Sequence, residues 1–389
     1  MLKTTRHLAF AGLMLAPIAA TATPLTMEIG YIGEIVDAGP VLSNIIPEPE
    51  DAGLQGARLA ITDSNTTGRF LKHHYELHEV QSSDSQALRE EALALYQQGV
   101  RAFVLNTSAT TLAGLREALP LDALLINAGS RSDKLRTEQC LPELLHTIPS
   151  RAMLADALAQ WLMMRRWNRW MLVRSNTEED SAFAAAINRA AHRFGGRIVE
   201  AKAWSFDTDL RRTAQKELPP FTTGEEYDVV IVADERGDVG EFLPYNTGLP
   251  RPVVGTQGMM PVGWHKMIEA WGAAQLHSRF EQQAERWMNE KDYASWAAVR
   301  TIAEAVTRTN ATDKPTLQNY ILSDQFELAA FKGRKLNFRN WSGQLRQPIA
   351  LVHPRALVSS SPQEGFLHPK TDLDTLGFDA PESRCQVAE

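Results

Sequence analysis

The sequence predicts an α/β protein of two doubly wound lobes joined by a hinge, and three observations carry that expectation. Apolar strand-like runs alternate with helical patterns from Met27 to about Thr256, the rhythm of parallel strands covered by helices on both faces. The rhythm restarts after residues 146–149 (H-T-I-P), which marks a second lobe of the same type. The length, 389 residues, suits two domains at roughly 150 residues each.

Taken in order, residues 1–22 come first. A basic start (Lys3, Arg6), an apolar run over 8–20 and the small residues Ala20-Thr21-Ala22 read as a cleavable export leader. No Cys follows the cleavage point, so a lipid anchor is not expected. Strands are expected at 29–32, 75–80, 102–105 and 124–127, with helices at 52–62, 85–98 and 110–119 between them. Gly99 closes the second helix as a C-cap. In the second lobe, helices at 151–166, 178–194 and 210–217 alternate with strands at 169–173, 197–204, 227–233 and 252–256. Helices are then expected at 264–291, 293–309 and 316–323, with strands at 335–338 and 348–352. The expected organisation is residues 24–148 plus 257–330 in lobe one and 149–256 plus 331–358 in lobe two. A Pro-, Ser- and Asp-rich tail follows over 359–389.

Apart from the leader, no apolar run approaches the roughly 20 residues that a membrane span requires. The net charge of −7, more negative once Lys3 and Arg6 leave with the leader, argues against nucleic acid as a partner. Two cysteines, Cys140 and Cys385, read as one disulfide in an exported protein, the alternative being two unrelated thiols.

No sequence pattern for catalysis is present. G-x-x-x-x-G-K-[ST], G-x-G-x-x-G after the first strand, G-x-S-x-G and H-E-x-x-H are all missing. His73, His74 and His78 form the densest histidine group, without a carboxylate pair or Cys to complete a metal shell, and read as surface histidines. The tryptophans, among them Trp161, Trp167, Trp170, Trp264, Trp271, Trp287 and Trp296, fall mostly at helical core spacing and read as packing, the alternative being a sugar-stacking platform. The expectation is a protein that is not an enzyme and carries no cofactor.

Several blocks in order carry a likeness to a known family. They are G-L-Q-G-A-R-L-A-I (53–61), L-N-T-S-A-T-T-L (105–112), I-N-A-G-S-R-S-D-K-L-R (126–136), H-T-I-P-S-R (146–151) and the helix at 293–306. Over 27–358 the chain resembles the type I periplasmic substrate-binding proteins of the branched-chain amino-acid type, which feed ABC importers. The resemblance implies two Rossmann-like lobes, a ligand cleft between them, a periplasmic location and the importer's membrane subunits as partners. It also implies a monomer without stable membrane insertion. A narrower likeness rests on C-L-P-E-L-L-H-T-I-P-S-R (140–151), F-R-N-W-S-G-Q-L-R-Q-P-I (338–349) and G-F-D-A-P-E-S-R-C (377–385). These blocks resemble the subfamily associated with pyrroloquinoline-quinone (PQQ)-dependent alcohol dehydrogenase systems. The alternative that this association leaves open is a periplasmic sensor or accessory protein of a quinoprotein dehydrogenase.

By the same resemblance, the lobe-one ligand contacts are Asn106, Thr107, Ser108, Ala128, Gly129 and Ser130. Those of lobe two are Glu179, Asp234 and Gln257, the last where amino-acid binders carry an acid. An ordinary zwitterionic amino acid is not the ligand this pattern favours. Glu178, Asp180 and Glu235 add oxygens that a hard cation would use, while Thr177 with Asp180 equally reads as a capping box.

Overall fold

The computed structural model describes residues 24–37, 47–142, 144–205 and 210–385. The leader expected at residues 1–22 lies outside them, as do the last four residues of the tail. The first sheet takes β1 (Leu25–Glu34), α1 (Leu54–Leu71), β2 (His73–Ser82), α2 (Ser85–Gln98), β3 (Ala102–Asn106), α3 (Ala109–Ala118), β4 (Leu124–Asn127) and β5 (Leu144–His146). Its strands are all parallel in the order β2-β1-β3-β4-β5. The second follows with α4 (Arg151–Met164), β6 (Arg169–Arg174), α5 (Glu178–Phe194), β7 (Arg197–Ala203), α6 (Leu210–Phe221), β8 (Val229–Ala233) and β9 (Val253–Gly255). Here the order is β7-β6-β8-β9, again parallel.

The chain then passes through β10 (Met260–Val262), α7 (Ala273–Ala284), α8 (Glu290–Thr309), α9 (Lys314–Ile321), β11 (Leu328–Ala329), β12 (Lys335–Leu336), β13 (Ile349–His353) and β14 (Ala356–Ser361). The last two strands and β10 form an antiparallel sheet ordered β10-β13-β14. Residues 343–345 lie along the free edge of β5, where His146 N donates to Gly343 O and Leu345 N to His146 O. No helix among the described residues is long and apolar enough to cross a membrane.

The central strands β3 (AFVLN) and β8 (VVIVA) are buried at every residue, as parallel strands covered on both faces must be. The edge strand β2 instead exposes His74 and Glu76, and His74 and His78 meet Glu76 and Glu28 near the surface. Helix α1 runs nine residues beyond its expected end at Thr62. The stretch past Thr62 stays helical because its Ser64 and Gly68 face is buried, while Ser64 Oγ and Thr66 Oγ1 are satisfied by the carbonyls four residues back. Its Gly56 lies flat on α8: a Cβ there would sit 1.8 Å from Asp292 O. Conversely, the helix expected over 264–291 is confined to α7, because Trp271 and Gly272 take left-handed backbone angles just before it.

Trp161, Trp170, Trp264 and Trp296 are buried, and Trp264 stacks on Tyr293 with ring centres 4.2 Å apart. Trp271 and Trp287, by contrast, are half exposed.

Helix α4 is buried from Ala152 to Leu162, because β-structure lies on one side and the tail on the other. Two of its buried residues are polar. Asp156 accepts Nη1 of Arg189 and Arg193 and the backbone N–H of Gly377, and Gln160 Nε2 donates to Thr375. The tail thus docks on the second sheet's helices. It also returns to the first: Arg339 is buried with Nε on Asp374 at 2.9 Å, Arg384 N donates to Thr137 O, and Cys140 and Cys385 are bridged with Cα atoms 5.4 Å apart.

Replacing both cysteines by Ser is expected to lower the free energy of unfolding by about 2–4 kcal/mol, since the bridge closes a very long loop. A lowered urea midpoint would show it. An unchanged midpoint would mean that the tail's polar contacts hold it without the bridge.

Candidate functional site

In a doubly wound sheet, ligands are taken up at the carboxyl ends of the strands where the winding reverses. In the first sheet that point lies between β1 and β3. Asn106, at the end of β3, is buried and its Nδ2 donates to Tyr31 Oη at 3.0 Å and to Ala52 O at 2.8 Å. It thereby fixes the entry into α1. Thr107 is buried and its hydroxyl turns to Ser108 O, while Ser108 is exposed and caps α3 by accepting from Thr111 N. Glu34, from the end of β1, reaches across with Oε2 2.6 Å from Ser108 N and Oε1 2.7 Å from the Thr111 hydroxyl.

The loop after β4 is equally self-contained. Ala128 N donates to Leu105 O, and Gly129 N and Ser130 N both donate to Asn127 Oδ1. Asn127 Nδ2 in turn serves Ser130 O and His146 Nδ1. Burial and the neighbouring Arg136 hold the His146 imidazole well below its ordinary value, so it accepts as the neutral ring. Arg136 is itself buried, with Nη1 on Ser130 O and Ser132 O and Nε on Gln344.

In the second sheet the winding reverses between β6 and β8. Asp234 is buried there, and its two oxygens accept the N–H groups of Gly237, Asp238, Val239 and Gly240 at 2.6–3.2 Å. Burial raises its carboxyl above the ordinary value, against the pull of those donors. Gln257 lies alongside: a Cβ on Gly240 would come within 2.6 Å of its Cγ. Asp180, also buried, accepts from Glu235 N at 2.7 Å and from the Ser175 hydroxyl, and its own N–H bonds Thr177 Oγ1. Thr177 is therefore the cap of α5, with Glu178 and Glu179 exposed in its first turn. Among the described residues no three His, Cys, Asp or Glu side chains gather as a metal shell.

Of the charges where the two sets of loops meet, the sequence pointed only to Glu235, and that as a cation ligand. Arg131 pairs with Glu290 at 2.7 Å, and Arg151 holds Glu235 with two bonds of 2.6 and 2.7 Å. The two pairs are neighbours: Arg151 N donates to Arg131 O, and the Glu235 charge helps to raise the Arg131 guanidinium. Arg151 closes the block H-T-I-P-S-R, and Glu290 is the first residue of α8. Their positions were visible in the sequence, but their meeting was not.

Three segments cross between the sheets behind these pairs, around 147–150, 256–263 and 345–349. Lys332 joins them. Its Nζ donates to Gly263 O, to Gln347 Oε1 at 2.6 Å and to Pro348 O at 3.2 Å, and Gln347 Nε2 reaches Thr147 O at 2.7 Å. Burial pushes the Lys332 amine down to about 7, with Glu290 the opposing charge.

Two facing doubly wound sheets with triple crossovers can be matched to known architectures. A crystal structure of a branched-chain amino acid ABC transporter periplasmic ligand-binding protein from Burkholderia xenovorans superimposes with a TM-score of 0.73 at 14% identity. The match covers 93% of this chain and all of that one. The chain has the type I periplasmic-binding-protein fold. Within this fold, the isoleucine-bound transporter binding protein of Streptococcus pneumoniae matches with a TM-score of 0.64 at 14% identity, covering 86% of this chain and 99% of that one. The benzoate-bound solute-binding protein of R. palustris also scores 0.64, at 11% identity over 87% and 98%. A family model described as Periplasmic binding protein matches residues 48–216. No curated protein matches the chain.

Two outcomes follow from the geometry. Asp234→Asn puts an amide NH2 against backbone donors and is expected to lower stability by about 1–3 kcal/mol. Unchanged thermal unfolding would show that the carboxylate does not anchor its loop. For Lys332, the folded amine loses its proton at about 7 and the unfolded one at 10.5. Between those values the unfolded chain holds the extra proton, so wild-type stability should climb relative to Lys332→Met as pH rises. The climb is at most about 1.4 kcal/mol per pH unit. Urea midpoints of both proteins from neutral to alkaline pH measure it, and a flat or falling difference contradicts it.

Proposed function

We propose that this protein is a periplasmic solute-capture component of an ABC importer, taking up a small polar ligand between its two lobes without chemistry on it. The observation that carries the reading is the meeting of two strand-end crevices at the Arg131–Glu290 and Arg151–Glu235 pairs, in front of a three-segment hinge. Ligand that touches both lobes favours the closed form, and membrane subunits can read that closure. The fold's solved relatives include proteins described as ligand-binding components of ABC transporters, with isoleucine bound in one and benzoate in another. The export leader read in the sequence places the chain in the same compartment. The narrower association with PQQ-dependent alcohol oxidation rests on the blocks at 140–151, 338–349 and 377–385.

The ligand contacts we assign to the cleft surface are Ser108, Gly129, Glu179 and Gln257, with Thr107 and Ser130 buried beneath them. Asn106, Ala128 and Asp234 lie behind them and shape the loops. A cation at Glu178, Asp180 and Glu235 is the reading we set aside, because Asp180 and Glu235 are already committed to Ser175 and Arg151.

A thermal-shift screen of amino acids, alcohol-derived acids, alcohols, amines, the quinone cofactor, calcium and lanthanides tests the reading. At least one solute should stabilise the protein, by about 2.7 kcal/mol at a hundredfold excess over Kd, and make it more compact in X-ray scattering. Stabilisation without compaction, or by none of the solutes, would count against capture between the lobes.

A further inference from the structure

The crevice between β1 and β3 is where a lobe of this kind offers a ligand the N–H groups at a helix start. In this chain the place is filled from within. Glu34 is half-buried at the last position of β1, and its carboxylate covers the start of α3. Oε2 takes the Ser108 N–H at 2.6 Å and Oε1 takes the Thr111 hydroxyl at 2.7 Å. The neighbouring amides of Ala128, Gly129 and Ser130 are committed to Leu105 O and Asn127 Oδ1. A carboxylate arriving from solvent therefore meets a like charge and none of these four donors. Two carboxylates share such a site only if one is protonated or displaced. Each ionised Glu34 oxygen, in contrast, has acceptor capacity for a further donor.

Lobe two follows the same rule. Asp234 fills the loop of backbone donors after β8, and Asp180 takes the Glu235 N–H beside it. Both winding-reversal points thus hold a carboxylate of the chain itself where an anion would otherwise be received.

We propose that Glu34 is a specificity residue: it closes the lobe-one crevice to carboxylates, so that the captured solute meets this crevice through a hydrogen-bond donor, an ammonium or a hydroxyl. The assignment rests on the capture reading and names its ligand class.

Amide NMR of the full chain, following Ser108, tests it with acetate, methylammonium and glycerol as head-group probes. In the wild type, acetate leaves the Ser108 N–H unmoved, while methylammonium or glycerol shifts it saturably. Which of the two acts distinguishes an ammonium ligand from a hydroxylic one. In Glu34→Ala, acetate binds at Ser108 at least about tenfold more tightly than in the wild type, equivalent to about 1.4 kcal/mol.

A saturable acetate shift at Ser108 in the wild type overturns the assignment. So does silence toward both donor probes, or a folded Glu34→Ala that gains no acetate affinity. The wild-type measurements decide the matter even where the variant does not fold. They read lobe one alone, so a solute screen that fails beside a donor-selective Ser108 removes the capture reading and leaves only the exclusion of carboxylates by Glu34 in place.

Discussion

One buried lysine amine joins the segments that run between the two halves of this molecule. The three N–H bonds of Lys332 go to Gly263 on one crossover and to Gln347 and Pro348 on another, while Gln347 passes the connection to Thr147 on the third. An ammonium buried in this way is costly unless all its donors are matched, and three acceptors from two segments are what matches them. The Tyr293 ring, 4.9 Å from Nζ, adds a cation–π contact from α8. The cluster also reaches the loops in front of it. Glu290, the first residue of α8, accepts Gly263 N from the same crossover and Arg131 from the cleft loop. Hinge and cleft are therefore coupled through a single carboxylate.

The loops that face the cleft obey a second constraint. In a parallel sheet the strand ends leave helix N-termini and turn amides in need of acceptors. Here the chain supplies them itself: Glu34 and Asp180 take donors from a neighbouring loop, and Asn127 and Asp234 take them from their own. Loops held in this way are rigid before any ligand arrives, which reduces the ordering cost of binding. It also explains why residues that look like ligand contacts by position, such as Asn106 and Asp234, are buried scaffolding here.

The fold was legible in the sequence because its signals are local. Buried parallel strands must be apolar throughout, as β3 and β8 are, and Gly99 and Gly195 stop their helices at left-handed C-caps. The signal misled where a local rule met a tertiary one. The buried face of α1 at Ser64 and Gly68 carries it past Thr62, and left-handed angles at Trp271 and Gly272 delay α7. The site was legible only in outline. The loops after β3, β4 and β8 were placed correctly at strand ends, but the bonds that tie them to the rest of the site join residues 55 to 159 positions apart. Glu34 meets Ser108 and Thr111, Arg151 meets Glu235, and Lys332 meets Gly263. A single sequence has no pattern that encodes such pairs.

The cysteines show how far a sparse signal can reach. Their number suggested one bridge from the tail to the first half of the chain, and the bridge is there. Its meaning comes from what lies between its ends. Before reaching Cys385, the tail places Asp374 between Arg339 and Arg346 beside the first sheet. It then places Gly377 and Glu382 against Arg189 on α5, with the Gly377 N–H on Asp156 of α4. The tail is thus attached to both lobes, with its last described residues tied to Arg136 and Thr137 next to the bridge. In this molecule Lys332 joins the crossovers, and the bridged tail ties the two lobes together a second time.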